Sequence, residues 1–233
     1  MITVIYIWNI NKSPLAALRA LRHMAADRRE LKSDPAISFF KLLGTGSGKT
    51  FTPKDADAYT WALLITIKED ELERFDQSEN ITAWRANAQN EIRLTALPIA
   101  SHGLWSGKNP FDDPRAAQAR VEADQWDGKI LAITRAKIAW NKNLKFWKAV
   151  PPVTASLRGN PGLEYAIGIG EAPIGLQGTL SVWSDAKSLR QFAYQGQAHA
   201  DVIAATAREH WYEEELFSRF ALIEQRGHFW VAE

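Results

Sequence analysis

The sequence predicts an α+β protein in which one unit, of order βαββαβ, occurs twice. Three observations point to it. Segments rich in β-branched and aromatic residues alternate with segments whose apolar residues fall three and four apart. The same order of elements returns after roughly 125 residues. Short echoes accompany the return: FFKLLGTG against YAIGIG, and ALLITIKEDELERF against TLSVWSDAKSLRQF. The first unit covers 1–109, a connector covers 110–127, and the second unit covers 128–233. Such a duplicated, ferredoxin-like unit is expected to form two antiparallel sheets packed face to face.

The first strand is ITVIYIWN at 2–9. Asn11 or Ser13 can cap the following helix, with Pro14 in its first turn. Leu15, Leu18, Leu21 and Met24 form its apolar stripe, and the charged stretch 27–34 is expected to end it before Pro35. Strands at 36–43 and 58–68 flank GTGSGKTFTP. One helix is expected over 70–88, anchored by Leu72, Phe75 and Trp84. EIRLTALPI at 91–99 is the fourth strand. Pro98 lacks an N–H and so marks an edge or an irregular end. The connector has few β-formers and a short helix at 114–123. Beyond it, strands are expected at 129–140, 163–169, 178–184 and 217–225, and helices at 143–157 and 185–210.

Composition narrows the function. The chain has 233 residues, 46% of them hydrophobic, enough for a sizeable core. Its 28 Lys and Arg nearly cancel 27 Asp and Glu, which argues against a partner held by bulk charge such as nucleic acid. The absence of cysteine excludes disulfides, thiolate ligation of zinc, heme or iron–sulfur, and a thiol nucleophile. No apolar run reaches about 18 residues. MITVIYIWNINKSP lacks the basic region and cleavage site of a signal peptide, so a cytoplasmic protein is expected. Ten Trp and ten Phe suit a pocket for a flat apolar ligand as well as a core.

GTGSGKT at 44–50 resembles a phosphate-binding loop, but the spacing fails. A glycine is required where Leu43 stands, and the segment leads to a strand where a helix should open. An interstrand loop, or one that covers a ligand, fits better, because glycine lets backbones approach closely.

The 185–210 segment is the most informative. Leu189, Phe192, Gly196, His199, Ile203 and Thr206 step by three or four along one stripe. His199 is therefore either a core histidine or an axial ligand, a neutral imidazole on a rigid helix being what a heme iron takes when no Cys exists. His210 falls near the same stripe. His23 sits at the edge of its helix stripe, His102 in a loop and His228 in the tail. No second His pairs with His199 at i+3 or i+4, so a non-heme metal site is not expected. No GxSxG nucleophile motif occurs.

Arg135 lies inside a strand pattern, where it needs an anion. That anion is a carboxylate such as Glu171, at a strand end beside glycines, or an anionic ligand group such as a heme propionate. The basic residues Lys137, Lys142, Lys145 and Lys148 form a solvated face or a contact with an anionic membrane.

KLLGTGSGKTFTP, AITRAKIAW followed by KFWKAVP, YAIGIGEAP, LSVWSDAKSLRQFAY followed by AH, and REHWYEEELFSRFALI together resemble the spheroidene monooxygenase family of carotenoid biosynthesis. The resemblance covers nearly the whole chain, in order. It implies an enzyme that uses heme b and O2 or peroxide to oxidise a carotenoid end carbon to a ketone. More broadly, the halves resemble dimeric α+β barrel proteins, in which a His on the second helix of a unit commonly ligates heme iron. His199 matches that place in the second half. The first half has Thr82 or Trp84 there, so iron is expected in one half only.

On this basis His199 is the expected metal ligand. Arg135, Trp183, Phe192, Gly196 and Ile203 are the expected cofactor contacts, and Arg135 and Glu171 the catalytic candidates. The expected partners are a small apolar substrate and an electron donor of unspecified kind, with peripheral membrane contact, in a monomer or homodimer. Two alternatives stand beside this: a heme enzyme of another type, catalysing dehydration or nitrogen chemistry, and a cofactor-free ligand-binding protein on the same scaffold.

Overall fold

The computed structural model describes residues 1–112, 126–138, 154–171, 178–195 and 212–230. Its strands are β1 (Ile2–Ile10), β2 (Ile37–Gly46), β3 (Ala56–Ile67), β4 (Ala88–Gly103), β5 (Ile130–Ile138), β6 (Leu163–Gly170), β7 (Gly178–Trp183) and β8 (Tyr212–Arg226). They close into one antiparallel barrel in the order β1-β3-β2-β6-β7-β5-β8-β4, and β4 returns to β1. Each half has the same internal order, β2-β3-β1-β4 and β6-β7-β5-β8.

The expected pair of sheets is thus a single closed sheet. Within either half the outer strands would expose unpaired N–H and C=O groups, and closure satisfies them. The two seams are unequal. β4 and β8 pair from Arg93–Arg226 to Gly103–Leu216, whereas β2 meets β6 only over Gly44–Gly46 and Gly168–Gly170.

Strand alternation gives the barrel two apolar surfaces. Ile5, Ile7, Leu64, Leu94, Leu131, Ile133, Val182, Leu216 and Phe220 fill the lumen. Val4, Tyr6, Trp8, Leu63 and Ile65 face outward beneath α1 (Pro14–Ser33) and α3 (Glu79–Asn87). Ser13 caps α1, its Oγ accepting from the Ala16 amide at 3.2 Å, with Pro14 at the first turn.

α1 ends at Ser33, inside the charged stretch and before Pro35 as expected, but it departs from expectation in what it buries. Leu31 and Asp27 are buried within that stretch, and Asp27 accepts from Trp84 Nε1 at 2.8 Å. Its core-facing side is Ala16, Ala20, Asp27 and Leu31, with Met24 partly buried. Leu15, Leu18 and Leu21 are 57%, 46% and 47% exposed. Periodicity locates a stripe but not which side meets the sheet, and the alanines allow the closer approach.

Other corrections are local. The expected helix over 70–88 breaks into α2 (Leu72–Asp76) and α3, whose N-terminus is capped by Ser78. Pro98 lies within β4 and not at its end; it pairs with Phe220 of β8 but lies beyond the last residue of β4 that β1 pairs, Ala96. A register shift between Pro98 and Ala100 accommodates it, as the missing N–H requires. β4 extends through His102, which pairs with Phe217 and is not in a loop.

In the second half α4 (Ala186–Gln195) falls within the range expected for the 185–210 helix, and residues 154–158 are helical. The helix expected at 114–123, most of that at 143–157, and Gly196, His199, Ile203, Thr206 and His210 lie outside the described residues.

The orientation of α1 has a direct test. Leu31→Ala should cost about 2–5 kcal/mol by urea denaturation. Leu18→Ala should stay within about 0.5 kcal/mol of wild type. A larger cost for Leu18→Ala than for Leu31→Ala would mean that α1 faces the other way.

Candidate functional site

The outer faces of the two halves differ in the size of their side chains. In the first half, cross-strand rows of Val4 with Ile65, Tyr6 with Leu63 and Trp8 with Trp61 build a thick apolar layer. Trp8 stacks on Tyr6 at 5.4 Å and on Trp84 at 4.8 Å, with planes within 11° of parallel. In the second half, Ile130 opposes Trp183 at one end. The rows that follow are Ala132 with Ser181 and Ala166, then Thr134 with Thr179 and Gly168. That floor stands little higher than its own Cβ atoms.

Three rings and a leucine frame the floor. Phe51 and Leu157 pack on Ile130, Ala132 and Trp183, and Phe192 of α4 meets Trp183 with centroids 5.2 Å apart. Trp183 Nε1 donates to Ser181 Oγ at 3.0 Å, so the indole is satisfied while its ring stays apolar.

Phe51 arrives from the first half on the glycine-rich loop. Gly48, at φ +71°, passes so close to β6 that a Cβ would stand 2.3 Å from the Ala166 carbonyl oxygen. Asp55 ties the loop down, accepting from the amides of Thr50 at 2.7 Å and Phe51 at 3.0 Å and from Ser47 Oγ at 2.8 Å. Burial alone would raise the Asp55 carboxyl, but the amide hydrogen bonds outweigh it and hold it below the usual range. Phe51 adopts φ +54°, a conformation costing on the order of 1 kcal/mol and retained because Asp55 and the neighbouring core fix it. The amides of Thr50 and Phe51, which a phosphate-binding loop would offer to its ligand, are already bonded to Asp55. The loop covers the second half's outer face with Phe51.

Arg135 and Glu171 belong to the other side of the sheet. Arg135 shares its parity with Leu131 and Ile133, so it faces the lumen, at one mouth of the barrel. There it pairs with Glu214 and, at 3.2 Å, with Glu171. Lys41 also pairs with Glu171, and Trp105 Nε1 donates to Glu171 at 2.6 Å while its ring lies 5.6 Å from the Arg135 guanidinium. Glu214 accepts from the amides of Ser106 at 3.0 Å and Gly107 at 2.8 Å. Two cations and two carboxylates make the cluster electrically balanced. Burial would raise Glu171, but hydrogen bonds from Lys41 and Trp105 hold it below the usual carboxylate range. Glu214 is lowered in the same way, by the Gly107 and Ser106 amides and Arg135.

The expected site residues therefore divide. Trp183 and Phe192 meet on the outer face, Arg135 and Glu171 meet at the lumen mouth, and Gly196, His199 and Ile203 lie outside the described residues. Of the two anions weighed for Arg135, protein carboxylates occupy the guanidinium. Arg135 and Trp183 lie on opposite sides of the sheet. Strand alternation from Ile133 was the signal that separates them. Phe51, Lys41, Trp105 and Glu214 were missed, since each reaches its partners from far away in sequence. Lys137 pairs with Glu213 at 2.8 Å as part of a solvated face. Lys142, Lys145 and Lys148 lie outside the described residues. A separate cavity of about 330 Å³ opens near the β2–β6 seam, lined by Ser47, Asp57, Thr60, Glu164, Tyr165 and Trp230 among others.

The mouth cluster has consequences for stability. Arg135→Leu should cost roughly 3 kcal/mol, the low end for a broken buried pair because both carboxylates keep other donors. Glu171 and Glu214 bind protons less readily folded than unfolded. Their contribution is whole above the unfolded value near about 4.3 and is lost as pH falls through the depressed folded values. Urea midpoints should thus drop on acidification below about pH 4, and Glu171→Gln should flatten that slope.

No family model matches the chain. Spheroidene monooxygenase of Rhodobacter capsulatus is 33% identical over 210 residues, spanning 89% of this chain and 84% of that one. Spheroidene monooxygenase of Rubrivivax gelatinosus is 28% identical over 220 residues, spanning 94% and 81%. Among solved structures, an aldoxime dehydratase superposes with TM-score 0.56 at 10% identity, over 95% of this chain and 81% of that one, a likeness of fold. With 33% identity to the Rhodobacter capsulatus protein over most of both chains, this protein belongs to the spheroidene monooxygenase family.

Proposed function

We propose that the protein is a heme-dependent oxidoreductase of monooxygenase type that oxidises an apolar substrate such as a carotenoid. The contrast between the two outer faces carries this. Two halves with the same strand order are filled in one by Trp8, Trp61 and Trp84 and floored in the other by Ala132, Thr134, Ala166, Gly168, Thr179 and Ser181. A flat macrocycle lying on a sheet needs a low floor and apolar walls, and among the described residues the second face has them and the first does not. The relatives named above supply the substrate class. We also read the chain as a ferredoxin-like unit duplicated within one chain, at 1–109 and 128–233 with a connector at 110–127, forming a dimeric α+β barrel. The repeated strand order supports this.

His199 is the residue that would hold the iron, with Gly196 and Ile203 on its stripe. A neutral imidazole is a strong heme ligand, and the chain has no Cys to compete with it. Bound heme supplies oxygen activation and electron transfer, with O2 or peroxide as oxidant, chemistry that no side chain here offers. The chain's own residues bind, orient and shield. Trp183, Phe192, Phe51 and Leu157 form an apolar wall that keeps water out. Asp55 fixes the loop that carries Phe51. Thr134 and Thr179 place hydroxyls on the floor. Arg135 and Glu171 brace the barrel mouth behind it.

Hemin titration tests the proposal. A Soret band should saturate near one heme per chain, disappear in His199→Ala, and weaken in Thr134→Phe, which raises the floor. Trp84→Phe, in the other half, should leave it unchanged. The loaded protein should then convert a carotenoid in an oxygen-dependent reaction. A folded wild type that stays colourless with hemin would favour the cofactor-free alternative. Heme binding with turnover of a polar small molecule and not of carotenoids would favour the other heme chemistry.

A further inference from the structure

The most leucine-rich stripe of α1 faces away from the protein. Leu15, Leu18 and Leu21 occupy its first two turns opposite Ala16, Ala20, Asp27 and Leu31, and about half of each is open to solvent. In a 20-residue helix whose other side is buried, three exposed leucines on one side form a continuous apolar strip. Arg19, Arg22, Arg28, Arg29 and Lys32 share that outward side, and Glu30 is the acidic residue among them. None of these five cations takes part in an ion pair among the described residues. The chain as a whole is nearly neutral, with 28 basic against 27 acidic residues, so this helix concentrates positive charge locally.

We propose that the outward face of α1 docks the protein on an anionic bilayer surface. Leucines beside arginines on one helix face are what an interfacial helix needs. The apolar chains enter the headgroup boundary while long basic side chains reach the lipid phosphates. No helix among the described residues is long and apolar enough to cross a membrane, and α1 does not need to. A second copy of the chain is disfavoured as the occupant, because a two-fold pairing would set like-charged arginines against each other. The contact does not depend on the cofactor. It would bring the protein to the phase in which an apolar substrate is dissolved.

Vesicle co-sedimentation without hemin tests this independently of the heme proposal. The protein should pellet with phosphatidylcholine–phosphatidylglycerol vesicles, pellet far less with phosphatidylcholine alone, and release as salt rises. Arg22→Gln and Arg29→Gln should each lower the partition coefficient about fivefold. The triple change Leu15→Ser, Leu18→Ser and Leu21→Ser should abolish pelleting. Its urea midpoint should match wild type, since these side chains are outside the core. Wild type left in the supernatant with both vesicles would overturn the proposal, as would a triple variant that binds like wild type. Light scattering that shows a dimer dissolved by Leu18→Glu, without vesicle binding, would assign the face to a second copy instead.

Discussion

Closure of the sheet is the constraint on which the rest of the structure depends. In a closed barrel every strand is paired on both sides, so each strand residue has two destinations, lumen or outer face. Ile133 and Arg135 go one way, and Ala132 and Thr134 go the other. The chemistry divides with them. The lumen mouth holds a balanced ionic cluster, the first outer face a thick aromatic layer, and the second outer face a low floor with apolar walls. The uneven seams add a second consequence. The long β4–β8 pairing fixes the halves together, while the short glycine-lined β2–β6 seam lets the 44–55 segment leave its own half and lay Phe51 on the other.

The halves share a plan but not an economy of volume. On the first outer face Tyr6, Trp8 and Trp84 stack and each donates to a carboxylate, Asp76, Glu91 and Asp27 respectively. Arg85 and Arg93 close that network onto Asp76. Aromatic volume and buried hydrogen bonds make this a self-sufficient core. The second outer face has Ala, Gly, Ser and Thr at the matching central rows, so whatever lies on it must supply the missing volume. The first half thus fills its outer face with its own side chains, and the second carries the face proposed above for the cofactor.

The strands were legible because β-branched runs bounded by Gly, Pro and polar turns have few other uses. ITVIYIWN and LEYAIGIG fall in β1 and β6 nearly as expected. Burial was misjudged where tertiary partners decide it. Asp27 and Leu31 are buried in a stretch that reads as solvated, because Trp84, far along the chain, needs an acceptor. The leucines of α1 looked like core because a 3.6-residue period is blind to which side is inside. At the site, Trp183 with Phe192 and Arg135 with Glu171 were each recognisable as pairs. Their placement on opposite sides of one sheet follows from a one-residue parity that the motifs alone do not display. Lys41 and Glu214 had no local signal at all.

Hydrogen exchange with and without hemin addresses the central claim most directly, because it locates the bound group by backbone without relying on colour or turnover. The expected result is added protection at 130–138, 163–170 and 178–195, with β1 and α3 unchanged. Protection gained instead at β1 and α3, or around Lys41 and Trp105 at the lumen mouth, would contradict the assignment of the thin outer face as the cofactor site.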